Sequence, residues 1–199
     1  MDIGAHTGEF TQAVRRFCGI KEALLIEAQP SRAAELRHTF PATNFYIVNA
    51  ALAHQAGTVD LEINEFDATT SILKIRRQAP ELNGLDLTVR ETVACETHTL
   101  DEVAVAMRGE HIDLMKIDVQ GAELLVIRGG GQTLAKTQRV WCEVSFRPLY
   151  DESCVFSDIY DALWRRGFFL AEIEPGFRSP GGELLQADAL FLRRDSQKS

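Results

Sequence analysis

The stretch Asp2-Ile3-Gly4-Ala5-His6-Thr7-Gly8 constrains this chain more than any other. An acid followed by Gly-x-x-x-Gly, then an amphipathic run over residues 10–17, reads as a strand end, a tight turn and a helix. Gly4 and Gly8 let the backbone take turn conformations and let a ligand come close. The helix behind them presents unpaired N–H groups to polar ligand atoms. In such a loop Asp2 is placed to accept hydrogen bonds from a cationic or hydroxyl-rich ligand. Only Met1 precedes it, whereas a strand ordinarily takes about 5–6 residues.

Other nucleotide loops fit less well. A phosphate-gripping loop ends in Gly-Lys-Ser/Thr, and a dinucleotide loop spaces its glycines as Gly-x-Gly-x-x-Gly. An acid at the strand tip repels a pyrophosphate. It suits positive charge, such as the amino and sulfonium groups of S-adenosylmethionine.

Downstream, strands and helices alternate, which predicts an α/β sheet with helices on both faces. Helices are expected at 11–18 (closed by Gly19), 30–37 (capped by Ser31), 99–107, 122–128 and 156–166, with a brief one at 72–77. Strands are expected at 23–27, 44–48, 112–118, 139–144, 168–173 and 187–192, the last two joined by a Pro/Gly-rich hairpin. Residues 58–63 and 87–93 alternate apolar and polar side chains and suggest a hairpin arm apart from the central sheet. Residues 64–84 lack periodicity and read as a lid or binding segment; Lys198 and Ser199 are expected to fray.

The 199 residues suffice for one domain with a substantial core, taken as residues 1–199. A net charge of -8 disfavours nucleic acid and anionic membrane surfaces as partners. No apolar run approaches the roughly 18 residues that span a bilayer. The four cysteines and five histidines lack metal-ligand spacing, and Cys18 and Cys142 sit in apolar runs that predict buried thiols. With nothing read as a signal peptide, these points lead to a cytoplasmic expectation.

Three acids fall at predicted strand ends, Asp2, Glu27 and Asp118, and Glu143 lies near the end of the next strand. Ligands of open parallel sheets bind beyond the carboxyl ends of the strands, so these acids should converge on one crevice. Glu27 lies 19 residues after Gly8, the distance at which a second-strand acid grips a ribose diol. Asp118 fits a site role and equally a cap for the helix at Ala122. Glu123 fits a first-turn helix acid. Glu143, between Cys142 and Val144, is a carboxylate in an apolar strand, which is costly unless paired. His6, inside the turn, faces either a ligand or solvent. Lys116 and Asp118 share a strand face and can pair as ions.

Taken together, these segments resemble the FkbM family of S-adenosylmethionine-dependent methyltransferases. The matching pieces are the Asp2–Gly8 loop, Ile26-Glu27-Ala28-Gln29-Pro30, Asn49-Ala50-Ala51-Leu52 with Gly57, Thr70-Ser71-Ile72, Thr99-Leu100-Asp101, and above all the run from Leu114 through Lys116-Ile117-Asp118-Val119-Gln120-Gly121-Ala122-Glu123. They come in the family's order and cover residues 2 to about 145. The resemblance implies a Rossmann-like class I methyltransferase sheet in the order 3-2-1-4-5-7-6 with the last strand antiparallel. It implies S-adenosyl-L-methionine as cofactor and O-methylation of a hydroxyl on a small-molecule or glycan acceptor, a sugar or natural product. By the same resemblance Asp2, Gly4 and Gly8 match the cofactor loop, Glu27 the ribose-binding acid, and Asn49-Ala50 lies near the adenine. His6 and Asp118 complete the expected cofactor shell.

The chain departs from the family in three places. Gln29 stands where the family often has an acid before the proline, and Gln120 stands where a glutamate is usual. The strand before Asp2 is largely missing. Losing a central strand leaves backbone groups unpaired at roughly 1–3 kcal/mol each, against a total stability of about 5–15 kcal/mol. The natural chain is therefore expected to begin further upstream.

An alcohol is a poor nucleophile until its proton can leave, so a base is expected within hydrogen-bond reach of the acceptor. Asp118 and Glu143 are the leading candidates, followed by His6. A cation held between the two acids is the alternative, although two carboxylates do not define a metal site. Two rival readings are an inactive or cofactor-binding-only module and a nicotinamide-dependent oxidoreductase. Against the latter stand the glycine spacing and the acid at position 2.

Overall fold

The structure is a computed structural model that describes residues 1–65, 69–77, 82, 86–107 and 111–194. Its centre is β1 (Asp2–Ile3), parallel to β2 (Ala23–Glu27) on one side and β7 (Met115–Ile117) on the other. Asp2 stands opposite both Leu25 and Lys116. Two residues fill the central position because the flanking backbone extends the ladder. Lys116 N donates to Met1 O and Asp118 N to Ile3 O, while the amides of Gly4 and Ala5 both donate to Ile26 O.

The main sheet has seven strands in the order β3-β2-β1-β7-β8-β10-β9, with β3 at Phe45–Asn49, β8 at Arg139–Ser145, β9 at Phe168–Pro175 and β10 at Gln186–Arg193. Numbered within this sheet alone, that order is 3-2-1-4-5-7-6. The last strand, β10, runs antiparallel to both neighbours. The expected hairpin arm is a separate sheet in the order β4-β6-β5, formed by β4 (Ala51–Leu52), β6 (Val89–His98) and β5 (Gly57–Asn64).

Alternate residues of β2 feed two cores, as a strand buried on both faces must. Leu24 and Ile26 join a cluster with Ile127 of α4 (Glu123–Arg128) and with Ile159 and Leu163 of α6 (Phe156–Arg165). Ala23 and Leu25 pack with Leu36 of α2 (Pro30–Thr39) and with Phe40. Helices therefore cover both faces. Truncating one of these buried leucines to Ala costs about 2–5 kcal/mol.

Local signals set the element ends. Thr99 caps α3 (Leu100–Ala104) through a reciprocal pair: Glu102 N donates to its hydroxyl while Thr99 N donates to the Glu102 carboxylate. Pro30 takes the first turn of α2, so the cap falls at Gln29 rather than Ser31. α1 (Glu9–Phe17) starts two residues before its predicted start.

Two further expectations need correction, and two short elements were not anticipated. The helix expected at 72–77 is absent: Ser71 and Ile75 form isolated bridges to Glu62 and Tyr150, and Arg76 N donates to Leu149 O, so cross-chain pairing outcompetes local helix. Cys18 is exposed, because α1 presents its end to solvent. α5 (Gly131–Ala135) and β4 went unpredicted, being five and two residues long, too short to show a period. Asp67, Ala68, Pro80, Lys198 and Ser199 lie outside the described residues.

Candidate active site

A cleft of about 330 Å³ opens at the carboxyl tips of β1, β2 and β7. Among its walls are the turn from Gly4 to Thr7, Glu27 at the end of β2 and Gln29 beyond it, Ala50, Lys116 within β7, and Asp118 and Gln120 after that strand. Thr70, Ser71 and Ile72 also line it, which gives part of the aperiodic segment a place in the site.

Gly4 is the hinge of this arrangement. Its φ is +74°, and a Cβ built there would lie 1.7 Å from the Asp118 carbonyl oxygen. Only a glycine lets β1 turn over β7 at that distance. Gly8, at φ +80°, serves packing: its missing side chain makes room for Phe40 and Leu36, and it does not line the cleft.

Glu27 closes one end. Its Oε2 accepts from His6 N at 2.7 Å and its Oε1 from Gln29 N at 2.8 Å. Burial pushes its carboxyl up, against the pull of the Gln29 and His6 backbone donors. These bonds, with a third backbone donor from Ala28, hold the carboxylate in one orientation while its acceptor capacity still admits a hydroxyl donor. The structure thus places Glu27, rather than Gln29, at the strand tip, with Gln29 beside it. His6 sits at φ 47° and lines the cleft.

Asp118 forms the other end. Its Oδ2 accepts from Lys116 Nζ at 2.8 Å and its Oδ1 from Gln120 Nε2 at 2.9 Å. Burial opposes the charge of Lys116, but Asp118 and Asp2 outweigh it and raise its pKa. The Phe10 ring lies 5.8 Å from the same ammonium.

The remaining predicted residues stand behind the walls. Asp2 is buried under the turn, where it accepts from Thr11 Oγ1 at 2.7 Å. Burial raises its pKa, opposed first by Lys116. Asn49 is exposed, and its Nδ2 donates to the carbonyls of Glu27 and Ala28, bracing the end of β2. Glu143 is also off the cleft wall; its Oε2 accepts from Gln120 at 3.1 Å and from Gln186 at 2.9 Å. Burial, then the charges of Asp118 and Glu123, push Glu143 well above the usual carboxylate range. Gln120 Nε2 lies between the carboxylates of Asp118 and Glu143, and an N–H donor there repels a cation. Glu123 is a buried helix acid whose Oε1 accepts from the amides of Val119 and Gly121.

Sequence reasoning missed Gln29, Phe10, Thr70 and Gln120 as cleft residues. Gln29 and Gln120 left a signal as departures from the family pattern, and Thr70 as part of a matching segment within the expected lid or binding stretch; Phe10 showed only as the start of the amphipathic run. Gln29 Oε1 and Thr70 Oγ1 are buried and lack a hydrogen-bond partner, and both residues line the cleft. Such atoms carry a desolvation cost that a bound donor relieves.

A seven-stranded sheet in this order, with a glycine turn at the tip of its first strand and an acid at the tip of its second, is the architecture of class I S-adenosylmethionine-dependent methyltransferases. The chain belongs to the FkbM methyltransferase family: the family's domain, Methyltransferase FkbM, matches residues 2–170. It is 29% identical over 174 residues to the 2-O-methyltransferase NoeI of Sinorhizobium fredii (strain NBRC 101917 / NGR234), covering 82% of this chain and 70% of that protein. Methyltransferase FkbM from Methylobacillus flagellatus KT shares the fold at TM-score 0.58 and 12% identity, over 94% of this chain. The chain spans 42% of that protein's length. Magnesium protoporphyrin IX methyltransferase (ChlM) from Synechocystis PCC 6803, solved with bound SAM, matches at TM-score 0.50 and 12% identity, over 97% of this chain and 68% of that one. Among the described residues no helix is long and apolar enough to cross a membrane.

Proposed function

We propose that this protein transfers the methyl group of S-adenosyl-L-methionine to a hydroxyl oxygen of a sugar or natural-product acceptor. The observation that carries the reading is the cleft itself, with Glu27 at one end and the Lys116–Asp118 pair at the other. The residues fit the cofactor: Gly4 makes the turn whose backbone lines the cleft, the Glu27 carboxylate suits a ribose diol, and the orphaned oxygens of Gln29 and Thr70 await donors. When bound, the cofactor supplies an electrophilic methyl on a positively charged sulfur.

Alignment of the two reactants supplies several kcal/mol of the barrier reduction. Asp118, braced by Lys116, accepts the hydroxyl proton as the acceptor oxygen gains its methyl, and later returns that proton to solvent. The nearby ammonium also favours the partial negative charge that develops on the attacking oxygen. Glu143, held off the wall, takes no direct part. Position 2 of a sugar is the first acceptor site to test, after the name of the relative NoeI.

The test is transfer of label from methyl-labelled S-adenosylmethionine to a set of methyl glycosides. Transfer should occur with wild-type protein and fall at least a hundredfold in Asp118→Asn, while calorimetric binding of S-adenosylhomocysteine stays within about threefold. Undiminished transfer by Asp118→Asn would remove Asp118 as the base. Absence of S-adenosylhomocysteine binding to the wild type would overturn the cofactor assignment and favour the inactive-module alternative.

A further inference from the structure

The strap that carries Thr70, Ser71 and Ile72 into the cleft wall is tied down unevenly. Beyond the cleft its anchors are short. Arg76 N donates to Leu149 O at 2.9 Å, Asp151 N donates to Lys74 O at 2.8 Å, and Ile75 bridges to Tyr150. At the cleft the ties are longer. Ser71 Oγ donates to Val119 O at 3.3 Å, and Asn64 Nδ2 reaches Thr69 Oγ1 at 3.1 Å and Thr69 O at 3.4 Å, beside a bridge from Ser71 to Glu62. Against usual lengths of about 2.7–3.2 Å, this is the more weakly held end.

Tyr150 stands where the strap, the loop after β8 and the turn after β7 meet. Its ring packs on Gly121, where a Cβ would come within 2.9 Å of the ring. Its hydroxyl lies 2.9 Å from Gln120 Oε1 and 3.1 Å from Thr69 O. A phenol has one proton, so it donates fully to one of these oxygens at a time. The Gln120 amide is not free to turn over, because its NH2 donates to Asp118 Oδ1 at 2.9 Å and to Glu143 Oε2 at 3.1 Å. Burial, then the charges of Glu143, Glu123 and Asp118, push the phenol well above its ordinary pKa, so it remains a donor. Either choice leaves one acceptor facing a phenol lone pair, which costs free energy in a buried setting. The shorter distance favours Gln120 and leaves Thr69 the less firmly held. Next to it, Thr70 Oγ1 is buried without a hydrogen-bond partner on the cleft wall. A ligand that bonds this oxygen favours the position in which the strap is closed.

We propose that Tyr150 is a positioning residue that sets this wall for the cofactor: its hydroxyl donates to Gln120 or to Thr69, and a bound ligand shifts it to Thr69. With the bond to Gln120 the strap end is loosened; with the bond to Thr69 the wall closes on the cleft. The ligand shifts the balance by its different affinity for the two states. The inference rests on the reading of this cleft as the cofactor site.

Amide hydrogen exchange of the full chain, resolved at Ser71, Ile72 and Leu73, reads how often the strap end opens. In wild-type protein, saturating S-adenosylhomocysteine should slow these amides at least tenfold. Tyr150→Phe keeps the ring on Gly121 and loses the hydroxyl. Its ligand-free amides should exchange at least fivefold faster, and S-adenosylhomocysteine should bind at least threefold more weakly by calorimetry. Gln120→Ala should do the opposite to exchange. With the competing acceptor gone, the hydroxyl donates to Thr69 alone, and the same amides should slow at least twofold. A tyrosine that only fills space would leave exchange unchanged in Tyr150→Phe, and a general brace would speed it in both variants. Either result overturns the proposal. Should one variant fail to fold, the other decides by the same criterion. Wild-type protein that binds no S-adenosylhomocysteine sinks the cofactor assignment of the cleft and this inference with it. Binding that leaves the strap amides unprotected sinks only the role of Tyr150.

Discussion

Replacing Gly4 with alanine tests the turn on which the cleft is built. The backbone at residue 4 sits at φ +74°, and the added methyl would be 1.7 Å from the carbonyl oxygen of Asp118 and 2.9 Å from its carbon. No rotamer relieves a contact with backbone. The left-handed conformation costs a non-glycine residue about 1–2 kcal/mol, and forcing atoms into a packed site costs about 1–3 kcal/mol. If the turn shifts to escape, the bond from Gly4 N to Ile26 O at 2.9 Å is lost, at about 1 kcal/mol. The expected destabilisation is about 3–5 kcal/mol by urea unfolding, or roughly 10 °C in Tm for a chain of this size. S-adenosylhomocysteine binding should weaken at least tenfold at a temperature where the variant remains folded. Gly19→Ala is the control, since a Cβ there meets nothing within 4 Å; it should change stability by about 0.5 kcal/mol or less. A Gly4→Ala protein within 1 kcal/mol of wild type (about a fivefold change in the folding equilibrium), with unaltered ligand affinity, would refute the close approach of β1 to β7.

Glu27→Gln should weaken S-adenosylhomocysteine by about tenfold to a hundredfold, the worth of a charge-assisted hydrogen bond, as read by calorimetry. Because burial raises the Glu27 pKa, wild-type affinity should fade on acidification at a higher pH than an exposed glutamate would dictate. Glu123 is raised from 4.5 to about 7, chiefly by burial. The folded state therefore binds the extra proton across that window, and its stabilising contribution is lost as pH rises from about 4.5 through about 7. Glu123→Gln, which keeps an oxygen for the Val119 and Gly121 amides, should flatten that decline in urea titrations at pH 5 and pH 8; an equally steep decline would count against it. Thr99→Ala removes the reciprocal cap of α3 and should cost about 1 kcal/mol, with no change in ligand affinity.

Much of the fold was legible because its signals are local. Apolar runs ending in Glu27 and Asp118 announced parallel strands, and the Thr99–Glu102 pair announced a helix start. Contacts made across the chain were not legible. Residues 72–77 carry helix-compatible side chains, yet Ser71 bridges to Glu62 of β5 and Ile75 to Tyr150. In the site, Glu27 and Asp118 face one cleft as the strand-tip argument required. Asp2 and Glu143 instead sit behind its walls, because Thr11 Oγ1 engages the first and the amides of Gln120 and Gln186 the second. Spacing along a strand fixes the face of a residue but not its depth, and depth separates a wall residue from a brace. The central strand held a similar lesson: Met1, Gly4 and Ala5 extend a two-residue β1 through backbone bonds that no side-chain pattern encodes.

The most direct measurement is a crystal structure of the protein grown with S-adenosylhomocysteine. The ribose hydroxyls should lie within hydrogen-bond distance of the Glu27 carboxylate, and the sulfur should face the Lys116–Asp118 end of the cleft. A ligand seated on another surface, or one whose ribose turns away from Glu27, would contradict the site described.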